Sequence, residues 1–118
     1  MSTRDNLKVW HDRMENKSPG ELSAQIADDA VFHSPVVHTP QAGKPLVMAY
    51  LSAADNVLGN DSFRYVREIV DESVNMAMLE FTLELDGVQV NGVDIISWNE
   101  EGKIQDFKVM VRPLKAIN

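Results

Sequence analysis

The chain has no cysteine among its 118 residues. That excludes a disulfide frame, a thiolate metal site and a cysteine nucleophile. It also lacks any apolar run approaching the roughly 20 residues that span a bilayer. The opening stretch Met1-Ser2-Thr3-Arg4-Asp5-Asn6 has none of the apolar core of a signal peptide. Basic residues are few, 11 Lys and Arg against 18 Asp and Glu, for a formal net charge of -7. Such a balance disfavours nucleic acid and anionic membrane as partners and makes a cytoplasmic location the expectation. No phosphate-cradling glycine loop, dinucleotide fingerprint, nucleophile elbow or zinc-protease helix is present. Redox-cofactor and nucleotide functions therefore have no positive support, and no cofactor is expected.

What is present reads as one soluble globular domain over residues 1–118, with 44% hydrophobic and 25% charged residues. Leu7, Trp10, His11 and Met14 recur at three- and four-residue spacing and predict a first helix. Ser18-Pro19-Gly20-Glu21 has the form of a capping box opening a short second helix, with Leu22 and Ile26 on its buried side and Asp28-Asp29 at its end. Ala30–Ser34 reads as a short strand stopped by Pro35, and a proline-rich loop follows to Pro45. A long helix is predicted from about Pro45 to Leu58, its apolar face formed by Val47, Tyr50, Leu51, Ala54 and Leu58.

The second half is strand after strand. Phe63–Val70 and Val74–Leu85 are rich in β-formers, and Asp86-Gly87 is a strong hairpin signal. Asn99-Glu100-Glu101-Gly102 fits a type I turn closing on a glycine bulge before a last strand, Lys103–Arg112. Helices first and an antiparallel meander second predict an α+β domain.

One acid interrupts an apolar stripe. In the strand Val88–Trp98, alternation places Val90, Gly92, Asp94, Ile96 and Trp98 on one face. A carboxylate among apolar groups is costly unless it is paired, hydrogen-bonded or protonated, and such a group has its pKa raised toward useful acid–base work. The rival reading is structural. With the bulge at Gly102, Asp94 sits across from Lys108 and the two form a cross-strand ion pair; a tighter turn sets it opposite Phe107 instead.

Three stretches carry a resemblance. They are Ala27-Asp28-Asp29-Ala30-Val31-Phe32-His33-Ser34-Pro35, then Gly43-Lys44-Pro45, then Gly92 through Ile104. In order and spacing the chain resembles the SnoaL-like polyketide-cyclase branch of the nuclear-transport-factor-2-like superfamily. The resemblance implies three N-terminal helices packed in a strongly bent mixed or antiparallel sheet, an α+β cone enclosing a cavity for a small, largely apolar molecule. It implies a homodimer formed through the outer sheet face, where Val93, Ile95, Phe107, Val109 and Val111 supply apolar surface. It also implies that Asp94 is the acid–base residue. His33, on the strand expected to line the cavity floor, is its candidate partner in proton transfer near a carbonyl: isomerisation, cyclisation or hydration.

The remaining candidates each have a plain alternative. Trp10, Tyr50 and Trp98 form an aromatic pocket wall or simply fill the core. His38 sits at the cavity mouth or on a surface loop. Arg112 holds a carboxylate or enolate oxygen, or caps the sheet edge through a salt bridge. His33 and His38 lack ligand spacing and a neighbouring carboxylate cluster, so no metal site is expected. Two non-catalytic readings stand beside the enzyme: a module that only sequesters a ligand, and a dimeric adaptor with a vestigial pocket.

Overall fold

The computed structural model describes residues 2–16, 19–36 and 38–113. Helix α1 (Thr3–Asn16) and the short α2 (Pro19–Gln25) precede strand β1 (Ile26–His33) and the two-residue β2 (Gln41–Ala42). Helix α3 (Lys44–Leu58) leads into β3 (Arg64–Asp71), β4 (Met76–Leu85), β5 (Val88–Trp98) and β6 (Ile104–Arg112). The six strands form one mixed sheet in the order β2-β1-β6-β5-β4-β3, in which only β1 and β6 run parallel. Among the described residues no helix is long and apolar enough to cross a membrane.

Local sequence accounts for most of these elements. On α1, Leu7 and Trp10 are buried as the spacing requires. The first backbone N–H groups of that helix have no partners within it. Those of Thr3 and Arg4 donate to the Glu72 carboxylate, which reaches over from the β3–β4 turn. Pro19 takes the first turn of α2, where its missing N–H costs nothing. Ser18, and with it the expected capping box, lies outside the described residues, as does the side chain of Leu58. On α3, Val47 and Leu51 are buried and Tyr50 packs its ring on Phe32.

Two expectations need correction here. Ile26 is not the last buried residue of α2 but the first of β1, and Asp28-Asp29 lie within that strand. Ile26 pairs with Ile104, and Ile26, Ala27 and Ala30 are all buried, so packing overrides the weak strand preference of two aspartates. The proline-rich loop also contains β2, whose two residues pair with Val31 and Phe32. The three helices thus all lie in the first 58 residues but are interrupted by two strands.

Both tight turns form as read. Asp86 and Gly87 have φ of 51° and 80°, as a two-residue hairpin turn of the I′ kind requires. Gly102 has φ 78°, its N–H donates to the Asn99 carbonyl and the Asn99 N–H donates to the Lys103 carbonyl. The β5–β6 register then departs from the simple expectation. Trp98 pairs with Ile104 but Ser97 pairs with Asp106, which leaves Gln105 as an extra residue on β6. Every later pairing is shifted by one, so Asp94 faces Val109, and neither Lys108 nor Phe107 lies opposite it.

Candidate functional site

The shift at Gln105 decides which side chains share a face with Asp94. Phe107 and Val109 turn inward and are buried, while Asp106, Lys108 and Met110 turn outward. The ion pair between Asp94 and Lys108 does not form, because Lys108 pairs with Ile95 on the opposite face. For the same reason Phe107 and Val109 are not part of the outer apolar surface. Val111 likewise packs against the core.

Asp94 itself is buried, with 6% of its surface exposed. The Tyr65 hydroxyl donates to its Oδ2 at 2.7 Å. Trp10 Nε1 in turn donates to the Tyr65 oxygen at 3.2 Å. The direction of this chain is fixed by chemistry: an indole N–H can only donate, so the phenol oxygen accepts from Trp10 and spends its own proton on Asp94. Tyr65 is held from three sides, edge-on against Phe63 at 5.0 Å and Phe81 at 6.4 Å, and against the His11 ring at 5.3 Å. His11 Nε2 pairs with Glu68 Oε1, so this histidine is half-buried and satisfied.

Tyr65 reaches the inner face because of a second irregularity. Tyr65 pairs with Phe81 and Arg67 pairs with Glu80, which makes Val66 an extra residue in β3. Without it Tyr65 and Arg67 would share a face; with it the phenol points in and the guanidinium points out. Gly92, two residues before Asp94, leaves room for the Phe81 ring. A Cβ there would lie 2.7 Å from the Met110 carbonyl oxygen and collide with that ring.

Asp94 lines a small cavity of about 40 Å³. Trp10, Leu51, Phe81, Phe107 and Val109 contribute its apolar walls. The volume suits one water molecule and falls well short of the roughly 300–1,000 Å³ of small-molecule sites. Among the described residues, the expected ligand-sized cavity is therefore not open around Asp94. Trp10 is the one expected ligand-binding residue that lines this space.

The other sequence-predicted residues lie elsewhere. Tyr50 packs at a tilt against Phe32, and Trp98 is buried at the end of β5. His33 is on the outer face, its Nε2 2.9 Å from Asp106 Oδ1, so it is not brought together with Asp94. His38 is exposed in the loop before β2. Arg112 is exposed and donates from Nε to Asn91 Oδ1 at 3.0 Å. Among the described residues no three His, Asp or Glu side chains converge to hold a metal ion. Tyr65 was not picked out from the sequence. The signal for it was chemical: a buried tyrosine hydroxyl needs an acceptor, and the stripe holds one acid.

The outer face has a different character. Arg67 Nε donates to Glu80 Oε1, and the Asn91 amide donates to Glu80 Oε2 at 3.0 Å. With Arg112 on Asn91, these four side chains form a polar row across β3, β4, β5 and β6. The row lies in a trough of about 670 Å³ flanked by Ile69, Met78, Val93 and Met110. The Arg67 hydrogen bond, with that of Asn91 second, holds the Glu80 carboxyl down to about 2.

Comparison with known proteins completes the description. No curated protein matches the chain. The structure superposes on a steroid delta-isomerase from Pseudomonas aeruginosa with a TM-score of 0.87 and 32% identity, covering 97% of this chain and 82% of that one. A bacterial protein with a cystatin-like fold from Silicibacter pomeroyi gives 0.81 and 30%, covering 94% and 76%. A de novo designed protein with a curved β-sheet gives 0.76 at 18% identity, covering 96% and 89%, a likeness of fold alone. The family model of the SnoaL-like domain matches residues 7–107. On that match, and on a curved six-stranded α+β fold shared with these relatives, the chain belongs to the SnoaL-like domain family of the nuclear-transport-factor-2-like superfamily.

Proposed function

We propose that this protein is a cofactor-independent acid–base enzyme of the isomerase type, acting on a small, largely apolar carbonyl compound with Asp94 as the proton carrier. The observation that carries this reading is the Tyr65–Asp94 hydrogen bond at the edge of an apolar cavity. The likeness to a steroid delta-isomerase supplies the reaction class. In such a reaction a carboxylate removes a proton from the carbon between a carbonyl and a C=C bond. The electron pair shifts to give a dienolate, and the proton returns at the far end of the conjugated system. Nothing is gained or lost overall, which is why no cofactor is required. Tyr65 is a positioning residue here, fixing the carboxyl through Oδ2, and His33 has no part in the step.

The cavity volume adds a condition. A substrate larger than water enters only if one wall gives way, and the walls from α1 and α3 are the ones outside the backbone hydrogen-bond ladder of the sheet. The test is turnover of β,γ-unsaturated ketones, from a 3-ketosteroid down to small cyclic enones, followed by the ultraviolet absorption of the conjugated product. Asp94→Asn is expected to lower kcat/KM by about 10²- to 10⁴-fold, the usual worth of a positioned acid or base. Unchanged turnover in that variant would overturn the assignment.

The small cavity and the outer trough together favour a second reading, an assembly module with a vestigial pocket. In either reading we propose a homodimer through the outer sheet face, where Ile69, Met78 and Met110 are exposed beside the polar row. Sedimentation at micromolar concentration is expected to give a dimer, and Met78→Lys with Met110→Lys a monomer. A monomeric wild-type protein removes this proposal.

A further inference from the structure

A second cluster of titratable side chains lies on the outer face, at the corner where β1 ends beside β6. His33 and Lys108 are partners in the parallel pairing of these strands, so their side chains leave the sheet on the same side. Together with Ser34, Pro35 and His38 they wall a cleft of about 370 Å³. Among the described residues no Asp or Glu lines this cleft, in a chain that carries 18 of them against 11 Lys and Arg. The nearby acid, Asp106, is engaged by His33 Nε2 at 2.9 Å, which fixes the ring at one edge of the cleft. Lys108 makes no ion pair among the described residues, and its same-face neighbours on β6 are Asp106 and Met110.

We propose that this cleft binds a small organic oxyanion, a carboxylate or a phosphate ester. The Lys108 ammonium supplies the charge and His38 a further N–H donor, while His33, whose Nε2 faces Asp106, forms the edge of the cleft. An ammonium and an imidazole N–H recognise oxygen anions, and the flanking acid, Asp106, is held by His33. Pro35 gives an apolar body something to lie against. The site is independent of the Asp94 reading: it lies on the other face of the sheet and shares none of that cavity's polar residues.

The experiment is an NMR titration of the intact protein with benzoate and with phenyl phosphate, using sodium chloride at matched ionic strength as the control. The ring signals of His33 and His38 are expected to shift saturably, while those of His11, tied to Glu68 on the inner side, stay in place. Lys108→Met is expected to weaken binding about tenfold, the worth of one charge-assisted hydrogen bond. Lys108→Gln serves as a second variant if the first disturbs the fold. Saturation by benzoate alone assigns a carboxylate, by phenyl phosphate alone a phosphate ester, and by both a site that reads charge only. Shifts that merely follow the chloride control, or an affinity unchanged in the Lys108 variants, overturn the proposal.

Discussion

The two faces of the β3–β6 sheet solve the same problem in opposite ways. On the inner face a single acid, Asp94, is buried and takes its hydrogen bond from a neutral phenol backed by an indole. On the outer face Glu80 takes its bonds from a guanidinium and an amide, in a row of four polar side chains open to water. Burial penalises charge and rewards neutral donors that are already oriented; water screens charge and tolerates ion pairs of small net worth. Identical strands carry both arrangements because two single-residue bulges, Val66 and Gln105, decide which residues face which way.

Neighbouring positions on β6 offer the most direct way to break that division. Phe107 turns inward and is buried, while Lys108 turns outward. Phe107→Ala opens a hole in the core at a cost of about 3–5 kcal/mol, comparable with the whole stability of a small domain. That variant is expected to fold poorly or not at all. Lys108→Ala, a substitution on the outer face, is expected to unfold within about 0.5 kcal/mol of wild type. Comparable denaturation midpoints for the two would show that register does not separate the faces.

A smaller effect tests the inner face alone. Tyr65→Phe keeps the ring and its aromatic contacts but removes the hydroxyl that donates to Asp94 and accepts from Trp10. Two buried polar groups each lose that partner, at a cost of about 1–3 kcal/mol. Urea denaturation measures it. A neutral outcome would mean that the phenol–carboxyl bond contributes nothing to holding the acid in place.

These bulges also explain what the sequence made legible. Asp86-Gly87 and Gly102 could be read because positive φ selects residue types, and both turns form where expected. The faces of α1 and α3 could be read because a helix repeats its pattern over several turns. Asp94 was legible as a buried acid, since β5 is regular from Val88 to Ser97. Its neighbours were not. A bulge is one unpaired residue with no preferred chemistry, and neither Val66 nor Gln105 stands out in its strand. Reading straight through them puts Tyr65 with Arg67 and Lys108 with Asp94, each on the wrong side. His33 was misplaced for a related reason: the resemblance located its strand at the cavity floor, but it is the alternate residue, Phe32, that points in.

The smallest effect belongs to the outer face, and its sign follows from Glu80. The ordinary carboxyl value of 4.5 is lowered to about 2 in the folded protein, first by the bond from Arg67 and then by that from Asn91. A group depressed on folding contributes stability that is fully present above its unfolded value and is lost as pH falls through the folded one. The stabilising share of Glu80 is therefore intact above pH 4.5 and disappears toward pH 2. Glu80→Gln is expected to flatten the stability profile in that window, measured as urea midpoints at pH 7, 4.5, 3 and 2. Glu72, Asp71 and Asp5 are also lowered, by backbone and side-chain donors, so part of the slope remains in the variant. The Arg67 side chain is 79% exposed, so salt should weaken its attraction for Glu80. At about 1 M salt, wild type and variant are expected to converge. A difference that survived high salt would mean that hydrogen bonds, more than charge, hold Glu80 in the row.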